Sequence, residues 1–526
     1  MMALKRSDQE FRHLGVTHVD FHQLDMDRVL TGLLPRLWYG GAPSVLHRDK
    51  DLSVSEFVDT ITQHPHLFTG FDPEVAYRWV ETHLLDMVNR GKPTQSVAGL
   101  RPLHGFTYRF RNARRSRPYG ADEQLYAMIK HAREGPKVLP LLKDFFFAAV
   151  DPHTGRARPD VAIDVEAQAL INLWEAAEAD IHDREDKSRR NPDHPPLLQD
   201  ACDLLADDLM RLLFHEELIP RSVLVDYVKI LFAFHLALYH LRLLKALPAQ
   251  VSGQRTEAGA ALFLDVQNLP GTATARLAER SAEAWFDRIP KFVQAGFTVK
   301  KLDEFARHLI RRKKMRQPTD GVLPVQELLS LLGAAHTKDR DTYAETRLQT
   351  ILGDNRGDAE DLDPSLDQIQ QLGLDPFTTY VEIVTHLRVG FHRRRIRECL
   401  DSMLLKNKPG AMLTQPRNGQ RRFTLDSRVV EVLLQIALLR EGGSAGFHTA
   451  ALRVDEFLDI LRTRYGLFID QLPPGDGFDR PSITDQEALR DNARAFTARL
   501  REIGFYSDLS DAYLTQTISP RYIIQS

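Results

Sequence analysis

Leu489-Arg490-Asp491-Asn492-Ala493-Arg494-Ala495-Phe496-Thr497-Ala498-Arg499-Leu500-Arg501-Glu502-Ile503-Gly504 carries apolar residues at 489, 493, 496, 500 and 503. Steps of four and three put these five on one face of an α-helix, and Gly504 is suited to stop it. Upstream, Val429, Val430, Leu433, Leu434, Ala437 and Leu438 recur at helical spacing, as do Val454, Leu458, Leu461 and Tyr465 before Gly466. Leu467, Phe468 and Ile469 form a short strand-like run between the second and third helices. After Gly504, Phe505-Tyr506, the turn-forming residues 507–511 and then residues 512–518 read as strand, turn and strand. Helix, helix, strand, helix and β-hairpin is the order of a winged helix, a fold that usually docks one helix into a DNA groove.

The remaining sequence sets bounds on that reading. At 526 residues the chain is long enough for about three domains. Its 43% hydrophobic and 27% charged residues are ordinary for a globular protein. A formal net charge of −3 leaves nucleic-acid contact to local basic patches. Cys202 and Cys399 cannot build a disulfide framework or a four-cysteine zinc site, which fits a reducing cytosol. Residues 1–13 lack the apolar core of a signal peptide, so a cytoplasmic location is expected. The most apolar stretch, 230–244, is interrupted by His235, His240 and Arg242 and is too short to span a bilayer. It is expected to be a buried central helix, with His235 and His240 as hydrogen-bonded core residues and no membrane contact.

Breaks in composition predict a mainly α protein with a few short strands. Residues 1–160 are expected to form a mixed, mainly helical domain and 161–353 a central helical domain. Residues 354–375 read as an acidic linker, and 376–526 as the winged-helix-like domain. In the first region, helices fit 53–62, with Ser53 and Glu56 at capping-box spacing, and 73–89; residues 106–110 alternate like a strand. In the second, helices fit 165–179, 197–214, 222–247, 273–286 and 302–314. The charge- and proline-dense stretch 183–196 reads as a solvated loop, and Leu262 to Val266 as a buried strand. A helix at 377–405 precedes a hairpin at 412–425, marked by Asn418-Gly419.

Three basic clusters are candidate nucleic-acid contacts. Arg109, Arg111, Arg114, Arg115 and Arg117 lie among Tyr108, Phe110 and Tyr119, a mixture suited to phosphate and exposed bases. Arg311, Arg312, Lys313, Lys314 and Arg316 end a predicted helix, where cations are favoured without any ligand. Arg393, Arg394, Arg395 and Arg397 follow His392. Arg421 and Arg422, with Arg417, and Arg490 and Arg494 on the third helix could add charge. That helix also bears Asp485, Glu487, Asp491 and Glu502, which offset its arginines. A solvated surface or helix-end charge is the plainer reading of each cluster.

Catalytic patterns are weak. His18, Asp20 and His22 alternate and would share a strand face as metal ligands do, but an exposed face explains them more simply. Asp265 ends an apolar strand without an evident acidic partner, and Glu185-Asp186-Lys187 sits in the charged stretch, so a metal-dependent nuclease is the least favoured alternative. Phosphate-loop, dinucleotide and nucleophile-elbow motifs are absent. No cofactor and no catalytic residue are expected.

Residues 457–470, Phe457-Leu458-Asp459-Ile460-Leu461-Arg462-Thr463-Arg464-Tyr465-Gly466-Leu467-Phe468-Ile469-Asp470, and residues 499–513, with Pro520-Arg521-Tyr522, resemble the C-terminal ends of large proteins from bacterial anti-phage defence islands of the methylation-associated type. The resemblance covers about a tenth of the chain and carries no catalytic motif. It implies work beside other proteins of the same defence system. The expected function is therefore a non-enzymatic subunit that binds DNA or scaffolds nucleic acid; the alternative is a protein-interaction subunit whose winged helix docks a partner.

Overall fold

A computed structural model describes residues 4–48, 52–85, 96–158, 160–189, 194–254, 259–318, 321–355, 364–417, 419–442, 446–506 and 517–525. In the first third, short α1 (Arg6–Gln9) is followed by α2 (Met26–Trp38), β1 (Ser44–Arg48), α3 (Val54–Gln63), α4 (Pro73–Trp79), α5 (Ala121–His131) and α6 (Gly135–Phe146). The Ser53 N–H donates to Glu56 Oε2 at 2.6 Å, so the spacing of these two residues does mark the start of α3. α4 runs on into a π-helical turn over Val80–Leu84, and residues 86–95 of the predicted 73–89 helix lie partly outside the described residues.

Residues 106–110 are not a strand. They belong to a 3-10 helix, Gly105–Phe110, capped by His104, whose ring nitrogen accepts from the Phe106 N–H at 3.2 Å. All six of its residues are buried, so their alternation does not separate a wet face from a dry one. Residues 183–196 are likewise not wholly a loop. β2 (Ile181–Glu185) pairs antiparallel with β1, in the register Val45↔Arg184 and Leu46↔Asp183.

The centre is α7 (Val165–Ala177), α8 (Gln199–Leu213) and the 31-residue α9 (Arg221–Val251). By length and composition α9 could cross a membrane, but 78% of its most apolar window is buried inside the protein. Its histidines are bonded: His235 Nε2 lies 2.9 Å from Asp208 Oδ2, and His240 Nε2 lies 3.0 Å from Thr17 Oγ1. Burial holds His240 neutral, with its pKa lowered to about 4.

β3 (Leu262–Phe263) leads to α10 (Ala273–Phe286), α11 (Ile289–Arg311), short α12 (Val325–Ser330), α13 (Thr337–Asn355), α14 (Pro364–Gln371) and α15 (Pro376–Leu404). The predicted 302–314 helix begins earlier, because Pro290 stands in its first turn, where a missing N–H costs nothing. Of the predicted linker, residues 356–363 lie outside the described residues, whereas 364–371 form α14. α9, α11 and α15 pack against one another.

β4 (Leu413–Thr414) and β5 (Arg422–Phe423) form the expected hairpin, whose turn residue Asn418 lies outside the described residues. α16 (Ser427–Ala437), β6 (Leu439–Glu441), β7 (Phe447–Thr449), β8 (Leu452–Arg453), α17 (Val454–Tyr465), β9 (Leu467–Phe468), α18 (Ile483–Glu502) and β10 (Thr517–Ile518) complete the chain. On α18, Phe496 and Leu500 are fully buried and Leu489 packs partly buried. β10 pairs with β8, and Tyr506 bridges Ile518; residues 507–516, with the expected turn, lie outside the described residues. β9 runs parallel to β3 of the central region, Leu262↔Leu467. The main hydrophobic cluster runs from Leu4 to Ile518, so residues of all three predicted regions share one core. The protein is mainly α-helical.

Candidate nucleic-acid interface

The first basic cluster divides on folding. Arg109 is buried, its guanidinium 4.0 Å from the Trp174 ring centre, 4.2 Å from that of Phe106 and 3.5 Å from the Asp183 carboxylate. Asp183 also accepts from Tyr39 and Tyr108. Arg111 ties the Tyr108 carbonyl to Ser44 on β1. Tyr108 and Phe110 are core residues and offer no stacking surface to a ligand. Arg114, Arg115 and Arg117 are exposed, and Arg115 donates to the Ser96 carbonyl.

The α15 cluster divides by helical geometry. At about 100° per residue, Arg388, Phe391, His392 and Arg395 fall on one face, while Arg393 and Arg397 point to the opposite side. Arg393 and Arg397 meet Arg421, Gln415, Gln420 and α10 around a cavity of about 320 Å³. Carboxylates compensate there: Arg393 lies 3.8 Å from Asp287, and Arg421 2.8 Å from Asp401. Burial and the charges of Arg393 and Arg421 lower the Arg397 pKa. Arg394 is exposed.

The other face of α15 borders a groove of about 560 Å³, closed by the N-terminal segment. That segment is fixed at several points. The Leu24 N–H donates to Ser402 Oγ at 2.9 Å, Tyr380 Oη donates to Asp8 at 3.0 Å, and the Asp20 N–H donates to the Tyr119 carbonyl. Phe11 lies 4.7 Å from the His392 ring, and Gly296 on α11 makes room for it, since a Cβ there would collide with the Phe11 ring.

Arg12, Arg388 and Arg395 bring three guanidiniums to this groove, with Phe391 and His22 among the rings. Arg388 and Arg395 sit 4.5 and 5.5 Å from the Phe391 ring centre. Arg12 donates to the His18 carbonyl and Arg395 lies 3.4 Å from Glu398. Among the described residues no carboxylate pairs with Arg388, and the buried Nε atoms of Arg388 and Arg395 and Nε2 of His392 lack hydrogen-bond partners. The groove's two carboxylates are engaged, Glu10 with Lys300 at 3.0 Å and Asp20 with His22 at 3.5 Å. Burial, reinforced by the Arg388 charge, lowers the His392 pKa to about 4, so the imidazole is neutral at pH 7.

The remaining candidates lie elsewhere. Arg311 lines a neighbouring cavity of about 650 Å³ with Arg307 and Arg347, and Lys314 pairs with Asp339 at 2.7 Å. Arg422 is buried, 3.3 Å from Asp265, and donates to Asn268. The Asp265 carboxylate therefore braces the β4–β5 hairpin, and burial raises its pKa. Arg490 and Arg494 are exposed on α18, Arg494 beside Asp491 at 3.3 Å. His18, Asp20 and His22 are on no strand and do not converge: His18 meets Glu123 at 3.1 Å, and His22 stacks on Tyr119. Glu185 of the Glu-x-Lys triplet is on β2 after all, but its partner β1 reads Ser-Val-Leu-His-Arg, with no acid. Among the described residues no three His, Cys, Asp or Glu side chains are grouped to hold a metal. Arg12, Arg388 and Phe391 escaped the sequence reading; the i, i+3, i+7 spacing of 388, 391 and 395 was the available signal.

A family model described as methylation-associated defense system protein MAD7 matches residues 6–522. The chain belongs to that family. The match takes in the N-terminal segment and α15 as well as the C-terminal stretches whose resemblance suggested it, so the groove lies inside the family's common region. No curated protein and no solved structure matches the chain. The protein is thus a component of a methylation-associated defence system.

Proposed function

We propose that this defence-system component binds nucleic acid through the groove between α15 and residues 9–22. One observation carries the reading: three guanidiniums converge beside exposed rings, and Arg388 has no carboxylate to neutralise it among the described residues. Arginine next to a stacking surface is the combination that grips phosphate and base together. The protein needs no catalytic step for this role, and works in the cytoplasm beside other proteins of the same system.

The winged-helix reading of the C-terminal segment rests on α16, α17, α18 and the Tyr506–Ile518 bridge. β9 is hydrogen-bonded to β3, and Asn492 of α18 joins the Leu264 and Ile469 carbonyls at 2.8 and 2.9 Å. Those ties favour a scaffolding and partner-docking role for the segment over an independent DNA reader.

Salt-dependent fluorescence anisotropy with DNA oligonucleotides tests the reading. Arg388→Ala combined with Arg395→Ala is expected to weaken binding and to flatten the log K against log [salt] slope by about 1.4 for single strands, at about 0.7 per phosphate contact. Absence of binding to single-stranded and duplex DNA at low salt would rule the proposal out.

A further inference from the structure

We infer that the α15 groove receives a single unstacked nucleotide, its base against Phe391 and His22 and its phosphate on Arg12, Arg388 and Arg395. The inference rests on the nucleic-acid reading and narrows it to the chemical class of the ligand. Shape is the first argument. The site is concave and about 560 Å³, inside the roughly 300–1,000 Å³ range of small-ligand pockets. A duplex offers a convex row of phosphates and keeps the faces of its bases covered. A ring recessed in a groove reaches a base face only after that base has left the stack.

The rings are the second argument. Phe391 is 38% exposed, an unusual state for a phenylalanine, although α15 buries its other large apolar residues at Phe377, Tyr380 and Ile396. His22 has its ring stacked on Tyr119, with centroids 4.4 Å apart and planes at 18°, and also lines the groove. An imidazole backed by a phenol on one side is a firm platform. Arg388 and Arg395 flank Phe391, and a guanidinium plane accepts a base as a ring does.

Polar supply is the third. His392 is 8% exposed and its Nε2 has no hydrogen-bond partner, beside the unbonded Nε atoms of Arg388 and Arg395. Buried polar atoms left unpaired cost stability, so a ligand edge or phosphate oxygen that satisfies them gains by it. The acidic groups nearby, Glu10 and Asp20, are each engaged by a cation or imidazole and leave the arginines in excess.

The experiment measures three ligands on the full chain: a single-stranded oligonucleotide, its duplex, and a free deoxynucleoside monophosphate as competitor. The single strand is expected to bind more tightly than the duplex. Phe391→Ala is expected to weaken single-strand binding by between about fivefold and about a hundredfold, the range for loss of one stacked base, with Phe391→Trp restoring it. Thermal melts of the variants check that they fold.

Equal affinity for duplex and single strand would overturn the inference. So would full single-strand binding by Phe391→Ala when Arg388→Ala still weakens it; the groove would then hold backbone alone and the broader proposal would survive. Competition by the mononucleotide without any oligonucleotide binding would instead uphold the nucleotide site and end the nucleic-acid reading.

Discussion

Arg109 and Arg388 both lie over aromatic rings, 4.0 Å from Trp174 and 4.5 Å from Phe391, but different things face their charge. Arg109 is enclosed with the Asp183 carboxylate, itself bonded by two tyrosines. Arg388 borders an open groove and has no such acid among the described residues. The same chemistry therefore braces a core in one place and leaves attraction to spare in the other. Arginine beside aromatic residues identifies a binding site only when the nearest carboxylate is also known.

The comparison breaks most severely at Asp183. Its replacement by alanine strands the buried Arg109 charge and is expected to cost about 3–5 kcal/mol, read as a fall in the urea midpoint. Arg388→Ala should change stability by no more than about 0.5 kcal/mol in the same assay; a large loss there would mean that Arg388 is a brace too. For DNA binding the order reverses, with Arg388→Ala losing affinity and exposed Arg114→Ala, on the other cluster, leaving it nearly unchanged.

A smaller effect comes from pH. The His392 pKa falls from about 6.5 unfolded to about 4 in the fold. The unfolded chain thus binds more protons in that window, so this contribution is complete above about pH 6.5 and declines as pH falls towards 4. Replacing His392 with glutamine should flatten the urea-midpoint profile across that range. An unchanged profile would show that other buried histidines, such as His13 and His240, carry it. The smallest effect is expected from Arg494→Ala on α18, an exposed i,i+3 pair with Asp491, which should cost about 0.5 kcal/mol or less and leave DNA affinity intact. A clear affinity loss there would move the interface to the C-terminal segment.

Helices with regular apolar spacing were legible in the sequence. α10 spans the 273–286 that periodicity indicates, and α15 differs from 377–405 by a residue at each end. Elements whose cause lies elsewhere in the chain were not. Gly296 looks like a helix breaker until Phe11 is seen packed against it, and β2 looks like a charged loop until β1 supplies its hydrogen bonds. The candidate site follows the same rule. Arg395 was visible as part of a basic run, but its separation from Arg393 and Arg397 depends on helical phase. Its partnership with Arg12 and His22 depends on a contact across more than 370 residues.

The parallel pairing of β3 with β9 bears on synthesis of the chain. Leu262 leaves the ribosome about 200 residues before Leu467, its partner. At about 5–20 residues per second the first strand waits about 10–40 s with its edge unsatisfied, and buried Asp265 waits as long for Arg499 to reach the neighbouring Val266 carbonyl. A nascent chain paused or cut short before residue 467 therefore displays an open, apolar strand edge to its neighbours, and chaperone demand should be concentrated in that interval of translation.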